Sequence, residues 1–104
     1  MLGINANLWR HKYATAGFHM TFKNGWTVSV QFGEGSYCEN RNLVGDIGIG
    51  HNSGNKTKSE CINAEIAAWD KNDKWYSFET DQVKGWCEAD EVADFIAMIK
   101  AKEN

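Results

Sequence analysis

Phe18, Met20 and Phe22 alternate with polar neighbours, and beyond Asn24-Gly25 the series Trp26, Val28, Val30, Phe32 alternates with Thr27, Ser29 and Gln31. A period of two belongs to a strand with one buried face, so this stretch predicts a β-hairpin. Its register follows from the same pattern, because directly opposed residues in an antiparallel pair share a face. A two-residue Asn24-Gly25 turn would set Phe22 against Thr27 and mix apolar with polar on both faces. A three-residue loop, Lys23-Asn24-Gly25 with Gly25 left-handed, sets Phe22 against Trp26, Met20 against Val28 and Phe18 against Val30. One face then becomes wholly apolar.

A second alternation begins near Cys61, with Ile62, Ala64, Ile66 and Ala68 interleaved by Asn63, Glu65, Ala67 and Trp69. After Lys71-Asn72-Asp73 the chain returns through Trp75, Tyr76, Ser77 and Phe78. Pairing Asp70 with Lys74 sets Trp69 against Trp75, Ala68 against Tyr76 and Ile66 against Phe78, with Asp73 in a left-handed position. Ile66, Ala68, Tyr76 and Phe78 then suit a core, while Glu65, Trp69, Trp75 and Ser77 face the other way. Residues 83–87 supply a further short strand. Val92, Phe95, Ile96 and Ile99 then recur at helical spacing, with Glu88, Asp90 and Glu91 near the start and Lys100 and Lys102 near the end, as the helix dipole favours.

Two hairpins, one strand and a helix predict an α+β fold, in which an antiparallel sheet of four or five strands packs against one C-terminal helix. The expected core is Phe18, Met20, Phe22, Trp26, Val28, Val30, Ile66, Tyr76, Phe78, Val92, Phe95, Ile96 and Ile99. Residues 1–17 hold Leu8, Trp9, Arg10, His11 and Tyr13 without a sustained period and read as an irregular N-terminal arm. Residues 18–104 read as a single domain, interrupted at 33–60 by a loop that holds six of the ten glycines.

Composition narrows the function. With 104 residues, five tryptophans and no proline, the chain is one small domain whose stability rests on a few large side chains. No apolar run reaches the roughly 18–20 residues of a membrane span, and the N-terminus lacks the order of a signal peptide, so a cytoplasmic protein without membrane partners is expected. Eleven basic against fourteen acidic residues, a net charge of -3, argue against a duplex-DNA binder. Cys38, Cys61 and Cys87 stand singly, without the paired spacing of a metal finger, and read as free thiols rather than as metal ligands with His51. No cofactor is implied.

Recognised catalytic spacings are also missing. Gly45, Gly48 and Gly50 do not fit a dinucleotide loop, and His51 with Asp46 is the one loop pair with acid–base potential, so a non-enzymatic role is expected. The denser chemistry lies in Tyr37, Asn40 and Arg41 of the first loop and in the outward pair Trp69 and Trp75. Aromatic faces and a guanidinium stack nucleobases, and Arg with Asn holds phosphate or a base edge. The same residues also have a plain structural use, since cross-strand Trp pairs stabilise hairpins on their own account.

The segments Asn24-Gly-Trp-Thr-Val-Ser-Val-Gln-Phe-Gly33, Ser36-Tyr-Cys-Glu-Asn-Arg41, Ala64-Glu-Ile-Ala-Ala-Trp-Asp-Lys71, Trp75-Tyr76, Val83-Lys-Gly-Trp86 and Asp90-Glu-Val92 together resemble a group of small, mostly uncharacterised phage-encoded proteins. The resemblance spans about residues 20–100 and implies that residues 1–19 are either an extension of the shared part or the product of an alternative start near Met20. It brings no established activity, and it implies kinship with phage counter-defence proteins. The expected function is therefore a non-catalytic phage-type inhibitor of host antiviral defence that sequesters a nucleotide second messenger through Tyr37, Asn40, Arg41, Trp69 and Trp75. The alternatives are a protein–protein inhibitor of a host defence enzyme, such as a nuclease effector, and a structural or host-takeover module. One helix covers only one sheet face, so a homodimer burying Trp69 or Trp75 is expected as well.

Overall fold

The computed structural model describes residues 2–6, 17–33, 38 and 61–103. Strands Gly3–Ala6 (β1), Gly17–Thr21 (β2), Thr27–Gln31 (β3), Asn63–Trp69 (β4) and Lys84–Glu88 (β5) form one antiparallel sheet in chain order, followed by helix Ala89–Lys100 (α1). This is the α+β architecture the hydrophobic pattern predicts. No described helix is long and apolar enough to cross a membrane.

The first hairpin has the three-residue loop. Phe18 faces Val30 and Met20 faces Val28. The Phe22 N–H donates to the Trp26 carbonyl at 2.9 Å, and the Gly25 N–H donates back to Phe22 at the same distance. Gly25 has φ 90°, a conformation that a side chain resists. The second turn is also as expected: the Asp70 N–H donates to the Lys74 carbonyl, Trp69 bridges Trp75, and Asp73 takes φ 64°. Asp70 tightens this turn by accepting the N–H groups of Asn72 (2.8 Å) and Lys74 (2.9 Å). The Lys74 N–H, above all, holds the Asp70 carboxyl below its ordinary pKa.

Two expectations are corrected. Beyond Tyr76 the return strand does not continue alongside β4: Phe78 pairs with Asp81 in a small turn of its own, and Ile66 takes Lys84 of β5 as its neighbour in place of Phe78. The arm expected to be irregular contains β1, which pairs with β2 from Gly3↔Thr21 to Ala6↔Phe18. Ile4 stays 69% exposed on a strand at the end of the sheet, whereas α1 packs mainly on β3, β4 and β5. With Ile4 and Asn5 both exposed, the strand leaves no periodic signal.

The core lies between α1 and one sheet face. Val28, Val30, Ala64, Ile66, Ala68 and Cys87 of the sheet meet Phe95 and Ile99, with Phe18, Met20, Phe22, Trp26, Tyr76, Phe78, Val92 and Ile96 packed around them. Every residue of the expected core is in this cluster. Full burial of a side chain such as Ile66 or Ile99 contributes about 1.5–3 kcal/mol. Lys84 and Glu91 form an ion pair that ties β5 to the first turn of α1, and its half-exposed partners add little.

The far end of α1 is held in a way no local signal announces. No glycine follows the helix; instead the Asn24 side-chain amide, from the first hairpin turn, donates to the carbonyls of Ile99 (3.0 Å), Lys100 (3.2 Å) and Lys102 (2.9 Å). Its Oδ1 accepts the Trp26 N–H at 2.9 Å. One side chain thereby adds donors at the helix end, where the Ile99 carbonyl also accepts the Lys102 N–H at 3.2 Å.

Candidate functional site

The sheet registers define what the face opposite α1 presents. Across it run three rows: Thr21, Thr27, Trp69 and Trp75; then His19, Ser29 and Ala67; then Gly17, Gln31 and Glu65. The middle row is small on β3 and β4, so Ser29 and Ala67 form a low floor between taller walls. The result is a groove of about 290 Å³, lined by His19, Ser29, Gln31, Glu65, Trp69 and Trp75 together with Ile66, Ala67 and Val83.

Its aromatic wall is ordered by its own contacts. The Trp69 and Trp75 rings lie 4.8 Å apart, tilted by 37°, and His19 meets Trp69 edge-on at 5.3 Å. These are favoured geometries for ring quadrupoles. Trp69 is half-buried, whereas Trp75 lines the groove and is 39% exposed. Polar groups are ordered as well: the Gln31 amide donates to the Ser29 hydroxyl at 3.1 Å, and the Thr21 and Thr27 hydroxyls pair at 2.9 Å.

Partial burial lowers the pKa of His19, so its imidazole is neutral at pH 7, with one donor and one acceptor nitrogen. The unfolded chain then takes up this proton more readily than the folded one. Stability is therefore expected to fall as pH drops below the ordinary histidine value of about 6.5, and the loss levels off below the folded value. Denaturant unfolding between about pH 7.5 and 5 should show a smaller acid loss for His19→Gln than for wild type. The other two histidines cancel in that comparison, and identical pH slopes would take His19 out of it.

The Cys87 thiol is held in its protonated form. Burial, with Glu91 adding to it, pushes the Cys87 thiol up to about 11, and its S–H points to the carbonyls of Gly85 (3.6 Å) and Lys84 (3.7 Å). Cys38 is buried with its S–H toward the Gly33 carbonyl. Among the described residues no three His, Cys, Asp or Glu side chains cluster as a metal site would require.

Of the residues singled out from sequence, Trp69 and Trp75 stand together at this groove. Tyr37, Asn40 and Arg41 lie outside the described residues, as do His51 and Asp46. Sequence reasoning missed His19, Ser29 and Gln31, whose role depends on which strands become neighbours. It also missed Trp86, which is 52% exposed with φ 57°. Trp86 sits in a bulge where Glu65 of β4 faces both Gly85 and Trp86 of β5, since Ala64 pairs with Cys87 and Ile66 with Lys84. No protein-family model, curated protein or solved structure matches the chain.

Proposed function

We propose that the chain is a non-catalytic binding protein, of the phage counter-defence kind its sequence resembles, that holds the planar ring of a nucleotide-like signal at the groove opposite α1. The observation that carries this reading is the Trp69–Trp75 pair, packed at 4.8 Å with Trp75 still exposed beside a small-residue floor. A stacked first ring holds the second in place, so a ligand ring adds to a surface that is already ordered. The volume, about 290 Å³, falls at the lower edge of small-molecule sites, about 300–1,000 Å³, and suits one ring rather than an oligonucleotide. Neutral His19 and the Gln31 amide supply donors and acceptors for a base edge, while Glu65 disfavours phosphate inside the groove.

A thermal-shift and fluorescence panel of mononucleotides and cyclic oligonucleotides tests it. A ligand at 100 times its Kd adds about 2.7 kcal/mol of stability. Trp75→Ala is expected to weaken binding by about 1–3 kcal/mol, roughly 5- to 150-fold, whereas Trp86→Ala leaves it unchanged. A panel in which no nucleotide shifts the melting temperature would sink the reading. The second reading, a protein–protein inhibitor, is favoured by Trp86. An exposed tryptophan in a left-handed conformation costs about 1–3 kcal/mol, a strain that persists where function uses it.

A further inference from the structure

Asn24-Gly25 is the only Asn-Gly step in the sequence. Such a step carries its own chemistry. The glycine amide nitrogen attacks the asparagine Cγ, a C–N bond forms, and the side-chain nitrogen leaves as ammonia with the proton the amide gave up. Water then opens the cyclic imide to aspartate or iso-aspartate. Nothing is oxidised or reduced, and the one co-reactant is solvent water.

In the folded chain both reacting groups are engaged. The Gly25 N–H is held on the Phe22 carbonyl at 2.9 Å, so the nucleophilic nitrogen is committed to the turn. The Asn24 amide is fixed at both ends, its oxygen on the Trp26 N–H and its nitrogen on the carbonyls of Ile99, Lys100 and Lys102. Attack at Cγ requires rotation of this side chain and release of the leaving nitrogen from the helix end. We propose that Asn24 is a latent deamidation site, kept closed by the end of α1, whose reaction in an opened chain irreversibly unfastens the first hairpin from the helix.

The unfastening follows from the product. A carboxylate at this position has no donor for the three carbonyls, and it brings negative charge to the negative end of the helix dipole. A chain that opens long enough to react therefore closes less firmly afterwards, and the next opening becomes easier. The fold and the integrity of the turn protect one another.

Peptide mapping by mass spectrometry of the reduced full chain, incubated at mildly alkaline pH in native buffer and in urea, follows the reaction directly. Conversion at Asn24 is expected to be about tenfold or more slower in the native chain, since it waits on local opening. Equal rates in the two conditions would overturn the protection. For the consequence, Asn24→Asp, which keeps the acceptor of the Trp26 N–H but turns a carboxylate on the helix-end carbonyls, should melt below wild type, and Asn24→Ala, which loses that acceptor as well as the donors, should melt below wild type too. Asn24→Ser, which keeps one donor, should melt above Asn24→Ala. N24D melting with wild type would overturn the unfastening, and the rate comparison stands on the wild-type chain whether or not the variants fold.

Discussion

Phe95→Ala should lower the unfolding free energy by about 3–5 kcal/mol, the range for removing a buried phenylalanine and leaving a cavity. Phe95 is buried on the sheet-facing side of α1 and is the hub of an aromatic trio: its ring lies 5.5 Å from Tyr76 and 5.3 Å from Phe78, which are themselves 5.0 Å apart. Truncation removes the ring's own burial and two of these three contacts, each such pair worth about 0.5–1.5 kcal/mol beyond its area. Tyr76 and Phe78 belong to a stretch tied to the sheet by little more than the Trp69–Trp75 bridge and the Tyr76 N–H to Ala68, so they have no regular strand to hold them once Phe95 is gone. A domain of this size has about 5–15 kcal/mol in total, so the variant should be close to the limit of folding at 25 °C. Urea denaturation checks it. An unchanged midpoint at an unchanged slope would mean that α1 is not part of the cooperative core.

What the sequence disclosed and what it concealed divides along the distance between partners. The three-residue loop at Lys23-Asn24-Gly25 was legible because its whole argument, apolar Phe18, Met20 and Phe22 against Val30, Val28 and Trp26, is local. The turn at Asp70–Lys74 was legible for the same reason, down to the left-handed Asp73. Strand β1 was not, because Leu2, Ile4 and Asn5 are all exposed and show no alternation of buried and solvent-facing positions. Phe78 looked like a continuing strand residue, yet the few residues to Asp81 close a turn of their own and leave the edge of β4 to Lys84. Asn24 read as a turn former, and its second task at Ile99, Lys100 and Lys102 lies 75 to 78 residues away. The groove is concealed most thoroughly. His19, Ser29, Ala67 and Trp69 come from three strands, and only the registers between them put a small floor beside a tall wall. The tryptophans could be singled out by residue type, whereas the floor could not.

Gly17 links the fold to the groove, and Gly17→Ala is expected to cost about 2–4 kcal/mol. Two effects combine. Gly17 has φ 154°, within the range that L side chains resist, and a Cβ there would stand 2.3 Å from the Val30 carbonyl oxygen and 2.7 Å from the Gln31 side-chain oxygen. The Gln31 side chain swings away at small cost. The Val30 carbonyl is backbone, and it moves only if the Gly17–Gln31 rung at the end of the β2–β3 ladder opens. Opening that rung frees Gln31 from the groove wall, so the nucleotide binding proposed for the groove should weaken together with stability. Gly3→Ala separates the two contributions: Gly3 also has a positive φ, 127°, but nothing lies within 4 Å of its added Cβ. It carries backbone strain alone, on an edge strand free to relax, and should cost under about 1 kcal/mol. Urea unfolding of the two variants side by side isolates the clash as their difference. If Gly17→Ala is no less stable than Gly3→Ala, the Val30 carbonyl does not stand over Gly17 and the β2 wall of the groove is placed differently.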